Sequence, residues 1–140
     1  MASVRDELSG IVLTYLAAAE NRNLELAGAS LRTDVEIVFP GGVQHEDLAA
    51  VVASARERYR SVSKTVDHVD VDTGNSTVIV TGRLSGENHH GVRFAGVRFI
   101  DRFRIIDGAI ALQHVWNDLE ESGVLVATVQ NEISPQYQSA

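Results

Sequence analysis

The second half of the chain constrains the fold most. From Lys64 onward it reads as strand, in segments near 64–72, 76–86, 92–106 and 109–118. Thr73-Gly74-Asn75, then Glu87-Asn88-His89-His90-Gly91, then Asp107-Gly108 separate these segments. Asp-Gly between alternating runs is a two-residue hairpin signal, because both residues accept the positive φ that such a turn requires. Strands linked by hairpins pair antiparallel, so a βαβ architecture is excluded.

The first third reads as helix. Leu8, Ile11, Val12, Tyr15, Leu16 and Ala19 fall on one stripe at helical spacing. Asn23 is placed to cap a second, short helix carrying Leu24, Ala27 and Leu31. Val35–Phe39 is a strand by its β-branched content, and Pro40-Gly41-Gly42 ends it. Asp47 then caps a third helix on which Leu48, Val51, Val52, Ala55 and Tyr59 repeat the helical spacing. Helices first and hairpin-linked strands afterwards predict an α+β fold. About three N-terminal helices pack on a curved antiparallel sheet and enclose a central pocket. The expected organisation is one domain over residues 1–122 and a C-terminal extension over 123–140, partly flexible, with the tail from Ser134-Pro135 frayed.

Composition removes several function classes. The 140 residues include no cysteine, which excludes disulfides, cysteine-based metal centres and thiol catalysis and fits a reducing, cytoplasmic location. A formal net charge of −7 argues against nucleic acid as a partner. No window approaches the roughly 18 apolar residues of a membrane span. Met1-Ala2-Ser3-Val4-Arg5-Asp6-Glu7 lacks the basic-then-apolar order of a signal peptide.

Three residues stand out for chemistry. On the long strand, Val97, Phe99, Asp101, Phe103 and Ile105 share one face, so Asp101 is a lone acid among apolar neighbours. Burial there raises its pKa and favours a neutral carboxylic acid able to donate to a developing oxyanion. The competing reading is an acid at the rim, paired with an arginine across a strand. Tyr15 lies on the apolar stripe of the first helix, where its hydroxyl needs a partner if covered. His68 shares a strand face with Val66 and Asp70, opposite Val69 and Val71, and periodicity does not decide which face is buried. His89 and His90 are adjacent and point to opposite faces of a strand, so they form no metal cluster, and no metal or other cofactor is expected.

The succession helix–helix–strand–helix–strands resembles the SnoaL-like branch of the nuclear-transport-factor-2-like superfamily over about residues 4–120. So do the stretches Phe99-Ile100-Asp101-Arg102-Phe103-Arg104-Ile105-Ile106-Asp107-Gly108-Ala109-Ile110 and Val115-Trp116-Asn117-Asp118-Leu119. The resemblance implies a cone-shaped sheet with a hydrophobic pocket, usually in a homodimer. It also implies cofactor-independent chemistry of the kind found in polyketide cyclases, ketosteroid isomerases, epoxide hydrolases and dehydratases. By position, Tyr15, His68 and Asp101 match residues that carry catalysis in family members. Phe39, Tyr59, Phe99, Gln113, Val115 and Asn117 fall around the pocket. The chain also departs from the family. Phe39 and Val115 stand where the isomerase and the cyclase carry an acid, and Gly82 and Leu84 stand where the epoxide hydrolase carries its Arg/Asp pair.

The last strand is read in two ways. Periodicity groups Ile110, Leu112, His114 and Trp116 inward, whereas the resemblance turns Gln113, Val115 and Asn117 into the pocket and gives Trp116 to the opposite side. The expected function is a cofactor-independent enzyme acting on a small hydrophobic polycyclic or polyketide-like substrate by elimination, isomerisation or cyclisation. In it His68 is the base, and Tyr15 and neutral Asp101 stabilise the oxyanion. The alternative is a non-catalytic ligand-binding domain of the same fold.

Overall fold

In the computed structural model, which describes residues 3–138, helix α1 spans Val4–Glu20 and opens on Ser3, whose Oγ accepts the Asp6 N–H at 3.1 Å. Asp6 and Glu7 in its first turn suit the positive end of the helix dipole. Leu8, Val12, Tyr15 and Ala18 are its buried face. Helix α2, Leu24–Ala29, is capped by Asn23, which accepts the Leu26 N–H at 3.1 Å. Helix α3, Leu48–Arg58, is capped by Asp47, which accepts the Ala50 N–H at 2.9 Å. Both caps stand where the side-chain chemistry places them.

Six strands follow from the rest: β1 Leu31–Phe39, β2 Val43–His45, β3 Tyr59–Asp72, β4 Thr77–Asn88, β5 Arg93–Ile106 and β6 Ala109–Asn117. They form one sheet in the order β2-β1-β6-β5-β4-β3. The β3-β4-β5-β6 meander is antiparallel, as its spacing predicts. The sheet as a whole is mixed, because β1 lies parallel to β6. That pairing joins segments far apart in sequence, which no short-range turn signal reports. The Asp107-Gly108 turn has φ of 52° and 77°, the positive pair a two-residue hairpin needs.

Bulges decide which side chains face inward. Val66 pairs with Gly82 and His68 with Thr81, so Asp67 is an extra residue in β3. Between Ser61 and the bulge the inward positions are therefore even-numbered, Val62 and Lys64, and after it they are odd-numbered, at Val69 and Val71. This explains why valines occur at both parities. A second extra residue, Ala111, separates the pairs Arg104–Leu112 and Ile105–Ile110. Ile110 is buried, but beyond the bulge Gln113 and Val115 turn inward, while Leu112, His114 and Trp116 face out. Of the two readings of β6, periodicity held only for Ile110.

The C-terminal segment belongs to the same core. After α4, Leu119–Ser122, the residues Val124, Ala127 and Ile133 are buried in the main hydrophobic cluster. Asn88, fully buried, fixes this segment. Its Nδ2 donates to the Val124 and Ala127 carbonyls at 2.8 Å each, and its Oδ1 accepts the His90 and Val92 N–H groups at 2.9 Å each. All four bonding sites of the amide are used. The boundary expected at residue 122 therefore marks no change in packing, and Phe94 even bridges to Gln138.

Candidate functional site

Helices α1 and α3 lie across the concave side of the sheet and enclose a cavity of about 150 Å³. Its wall is mostly apolar. Leu16, Val51, Val52 and Ala55 come from the helices, and Phe39, Val62, Leu84, Phe99 and Val115 from the strands. Tyr59, Gln113 and Asn117 line it too, so all six residues that the resemblance placed around the pocket meet there. The charged groups on its wall and mouth are Glu20, Arg22, Arg58 and Lys64.

One polar pair spans this space, and a second ties its wall to the core behind it. The Tyr15 hydroxyl donates to Gln113 Oε1 at 2.7 Å, from the buried face of α1 to the inward face of β6. Burial, with the nearby Asp101 charge adding to it, pushes the Tyr15 phenol well above the usual tyrosine range. The proton is therefore held on oxygen, and Tyr15 orients Gln113. The second pair is Lys64 and Asp101, with Nζ 2.5 Å from Oδ2. Asp101 is 0 % exposed, between Val80 on β4 and Val115 on β6, while the Lys64 side chain is 29 % exposed. Nζ also lies 4.9 Å from the centre of the Phe99 ring, a cation–π contact on the cavity wall. Asp101 Oδ1 has no hydrogen-bond partner among the described residues.

This geometry corrects the reading of Asp101 as a lone neutral acid. Burial is complete, as its strand neighbours imply, but the carboxyl has a cationic partner. The competing reading, a rim acid paired with an arginine, differs from the structure as well, since the ion pair is present but the carboxyl is fully buried. Its cation is a lysine from two strands away instead of an arginine. His68 is corrected as well. The Asp67 bulge leaves it exposed, on the parity opposite to Val69 and Val71, and it does not reach the cavity. Of the three residues singled out for chemistry, the structure brings Tyr15 and Asp101 together and leaves His68 outside.

Sequence reasoning missed Lys64 and Glu20. One signal was present: the chain has eleven arginines and a single lysine, and that lysine is Lys64. Glu20, at the end of α1, accepts the Lys64 backbone N–H on Oε1 at 2.8 Å, so the carboxylate and the lysine are tied to one spot on the wall. His89 Nε2 lies 2.6 Å from the Arg56 carbonyl, and among the described residues no group of three or more His, Asp or Glu side chains could hold a metal ion. Among the described residues no helix is long and apolar enough to cross a membrane.

The sequence matches the family described as SnoaL-like domain over residues 12–113. Solved structures with the same architecture include TerC co-crystallised with polyporic acid, at 17 % identity and a TM-score of 0.76 over 86 % of this chain and 99 % of that one. A putative SnoaL-like polyketide cyclase from Jannaschia sp. CCS1 is 16 % identical, with a TM-score of 0.75 over 91 % of this chain and 97 % of that one. An LEH-like epoxide hydrolase from M. tuberculosis is 17 % identical, with a TM-score of 0.68 over 86 % of this chain and 91 % of that one. At these identities the likeness shows the fold. No protein of curated function matches the sequence.

Proposed function

The chain belongs to the SnoaL-like domain family, and on that premise we propose that its cavity is a cofactor-independent active site for proton transfer on a small hydrophobic carbonyl compound. One observation carries the reading: Lys64 and Glu20 both line a mostly apolar cavity, and the Glu20 carboxylate accepts the Lys64 backbone N–H, which ties a carboxylate to the strand position that carries the lysine. Lys64 activates the carbonyl, and the Glu20 carboxylate takes a proton from the adjacent carbon. Asp101 acts through Lys64 and is a positioning residue, as is Tyr15 through Gln113. A volume of about 150 Å³ suits one ring. A polycyclic or polyketide-like substrate therefore extends toward the mouth at Arg22 and Arg58.

The test is exchange of the protons next to the carbonyl of cyclohexanone in heavy water, followed by NMR. Wild-type protein should accelerate exchange. Glu20→Gln, which keeps an oxygen for the Lys64 N–H, should lower the rate at least about 100-fold, the usual contribution of a general base. A second reading, a ligand-binding domain without catalysis, is favoured by the Tyr15–Gln113 bond, which pairs two cavity polar groups with each other. Binding without exchange above buffer would select it.

The convex face of the sheet supports a homodimer. Trp116 and Ile100 sit opposite one another there, 52 % and 45 % exposed, more apolar surface than a solvated sheet face normally carries. Light scattering should give twice the monomer mass, and Trp116→Glu should give the monomer mass. A wild type with the monomer mass at high protein concentration would exclude this face as a stable interface.

A further inference from the structure

From the position of the chain's single lysine we infer that Lys64 is a nucleophilic amine that condenses with an aldehyde or ketone in the cavity to form an iminium. This rests on the reading of the cavity as a carbonyl site and names how the carbonyl is activated. Eleven of the twelve cationic side chains are arginine, and an arginine would serve as well wherever charge alone is needed. A lysine differs in being able to lose a proton and form a carbon–nitrogen bond. The one place where the chain uses it is on the wall of a mostly apolar cavity. There the amine has Phe99 on one side and a fully buried carboxylate on the other.

The condensation balances without any co-reactant. One ammonium proton passes to Asp101 Oδ2, the freed amine nitrogen attacks the carbonyl carbon to form a carbon–nitrogen bond, and Asp101 returns that proton to the carbinolamine hydroxyl as the carbon–oxygen bond breaks. The oxygen leaves as water, carrying two of the three ammonium protons. One proton and one positive charge stay on nitrogen. The ammonium is thus replaced by an iminium of equal charge, so Asp101 has a counter-ion before and after the step and its burial costs nothing further in the product. A neutral partner in place of Asp101 would favour the uncharged imine and lose that match. Asp101 Oδ1 has no hydrogen-bond partner among the described residues. The iminium withdraws electrons from the adjacent carbon more strongly than a hydrogen bond to a ketone does. Proton removal by Glu20 is thereby eased.

The single lysine makes the test clean, because the side-chain amine and the α-amine are the only two amines to tell apart. Benzaldehyde with cyanoborohydride at neutral pH reduces any iminium to a stable benzylamine, which peptide mapping locates. Folded protein should be benzylated at Lys64 at least about tenfold faster than the same protein unfolded in urea, the gain expected of a positioned amine. Cyclohexanone should compete, and Lys64→Arg should leave only the α-amine labelled. Equal rates at Lys64 in folded and unfolded chains, or label confined to the α-amine, would overturn the inference. If cyclohexanone protons still exchange in that case, the proton-transfer site stands and its activation is non-covalent. If they do not, both fall.

Discussion

Gly82→Ala should cost about 3 kcal/mol or more of folding stability, at the top of the range for overpacked positions. A Cβ built on Gly82 lies 1.9 Å from the Thr65 carbonyl oxygen and 2.9 Å from Phe99 Cε1. The first of these atoms is backbone, held by the β3–β4 pairing in which Thr65 faces Arg83 and Val66 faces Gly82. It cannot retreat without opening the ladder. Gly86 repeats the arrangement, with its Cβ position 2.1 Å from the Ser61 carbonyl oxygen. Together the two glycines let β3 lie close over β4, and that approach brings Lys64 within reach of Asp101. The site therefore depends on residues that carry no side chain. For a domain of this size the loss corresponds to a fall in melting temperature of roughly 10 °C. Gly10→Ala is the control: its Cβ meets nothing within 4 Å on helix α1, so it should stabilise by up to about 1 kcal/mol. Circular-dichroism melting of both variants decides the matter. A Gly82→Ala protein that melts with Gly10→Ala would show that β3 adjusts freely and that the close approach is not required.

The parts of this fold legible in the sequence are those set by neighbours in the chain. Asn23 and Asp47 before the second and third helices, the stripe of α1, the alternation along β5 and the Asp-Gly turn all act within a few residues, and each is where its chemistry puts it. Bulges are different. One extra residue at Asp67 and one at Ala111 invert the inward parity of β3 and β6, and a period-2 count carries no mark of where this happens. His68 was misplaced for this reason, and the reading of β6 by periodicity failed beyond Ile110. The polar run Glu87–Gly91 reads as a solvated loop, yet Asn88 within it is buried, because the carbonyls its Nδ2 donates to lie on a segment more than thirty residues away. Glu20 was illegible likewise, since its significance comes from Lys64, 44 residues on. Lys64 itself was legible in principle. Its rarity could be counted, but its partner was hidden by an intervening strand, β4.

That pair gives the second large effect, which is non-additive. Lys64→Met should be the more damaging single change, at about 3–5 kcal/mol, the cost of leaving a buried charge without its partner. Asp101, at 0 % exposure between two valines, cannot turn to water to replace the lost ammonium. Asp101→Leu should cost less, about 1–2 kcal/mol, since the lysine it strands is 29 % exposed and has a flexible stem that can carry its head to solvent. Making both changes should bring stability back to within about 1 kcal/mol of the wild type, because two apolar side chains replace a pair whose mutual attraction only offsets its desolvation. The double variant should also lose benzylation at position 64 and exchange activity. Restored stability beside lost chemistry would identify the ion pair as kept for function. Urea unfolding of the four proteins measures the coupling directly. If the two single costs instead add to within about 0.5 kcal/mol in the double variant, Lys64 and Asp101 are energetically independent, and the lysine is a rim cation that happens to lie near a buried acid.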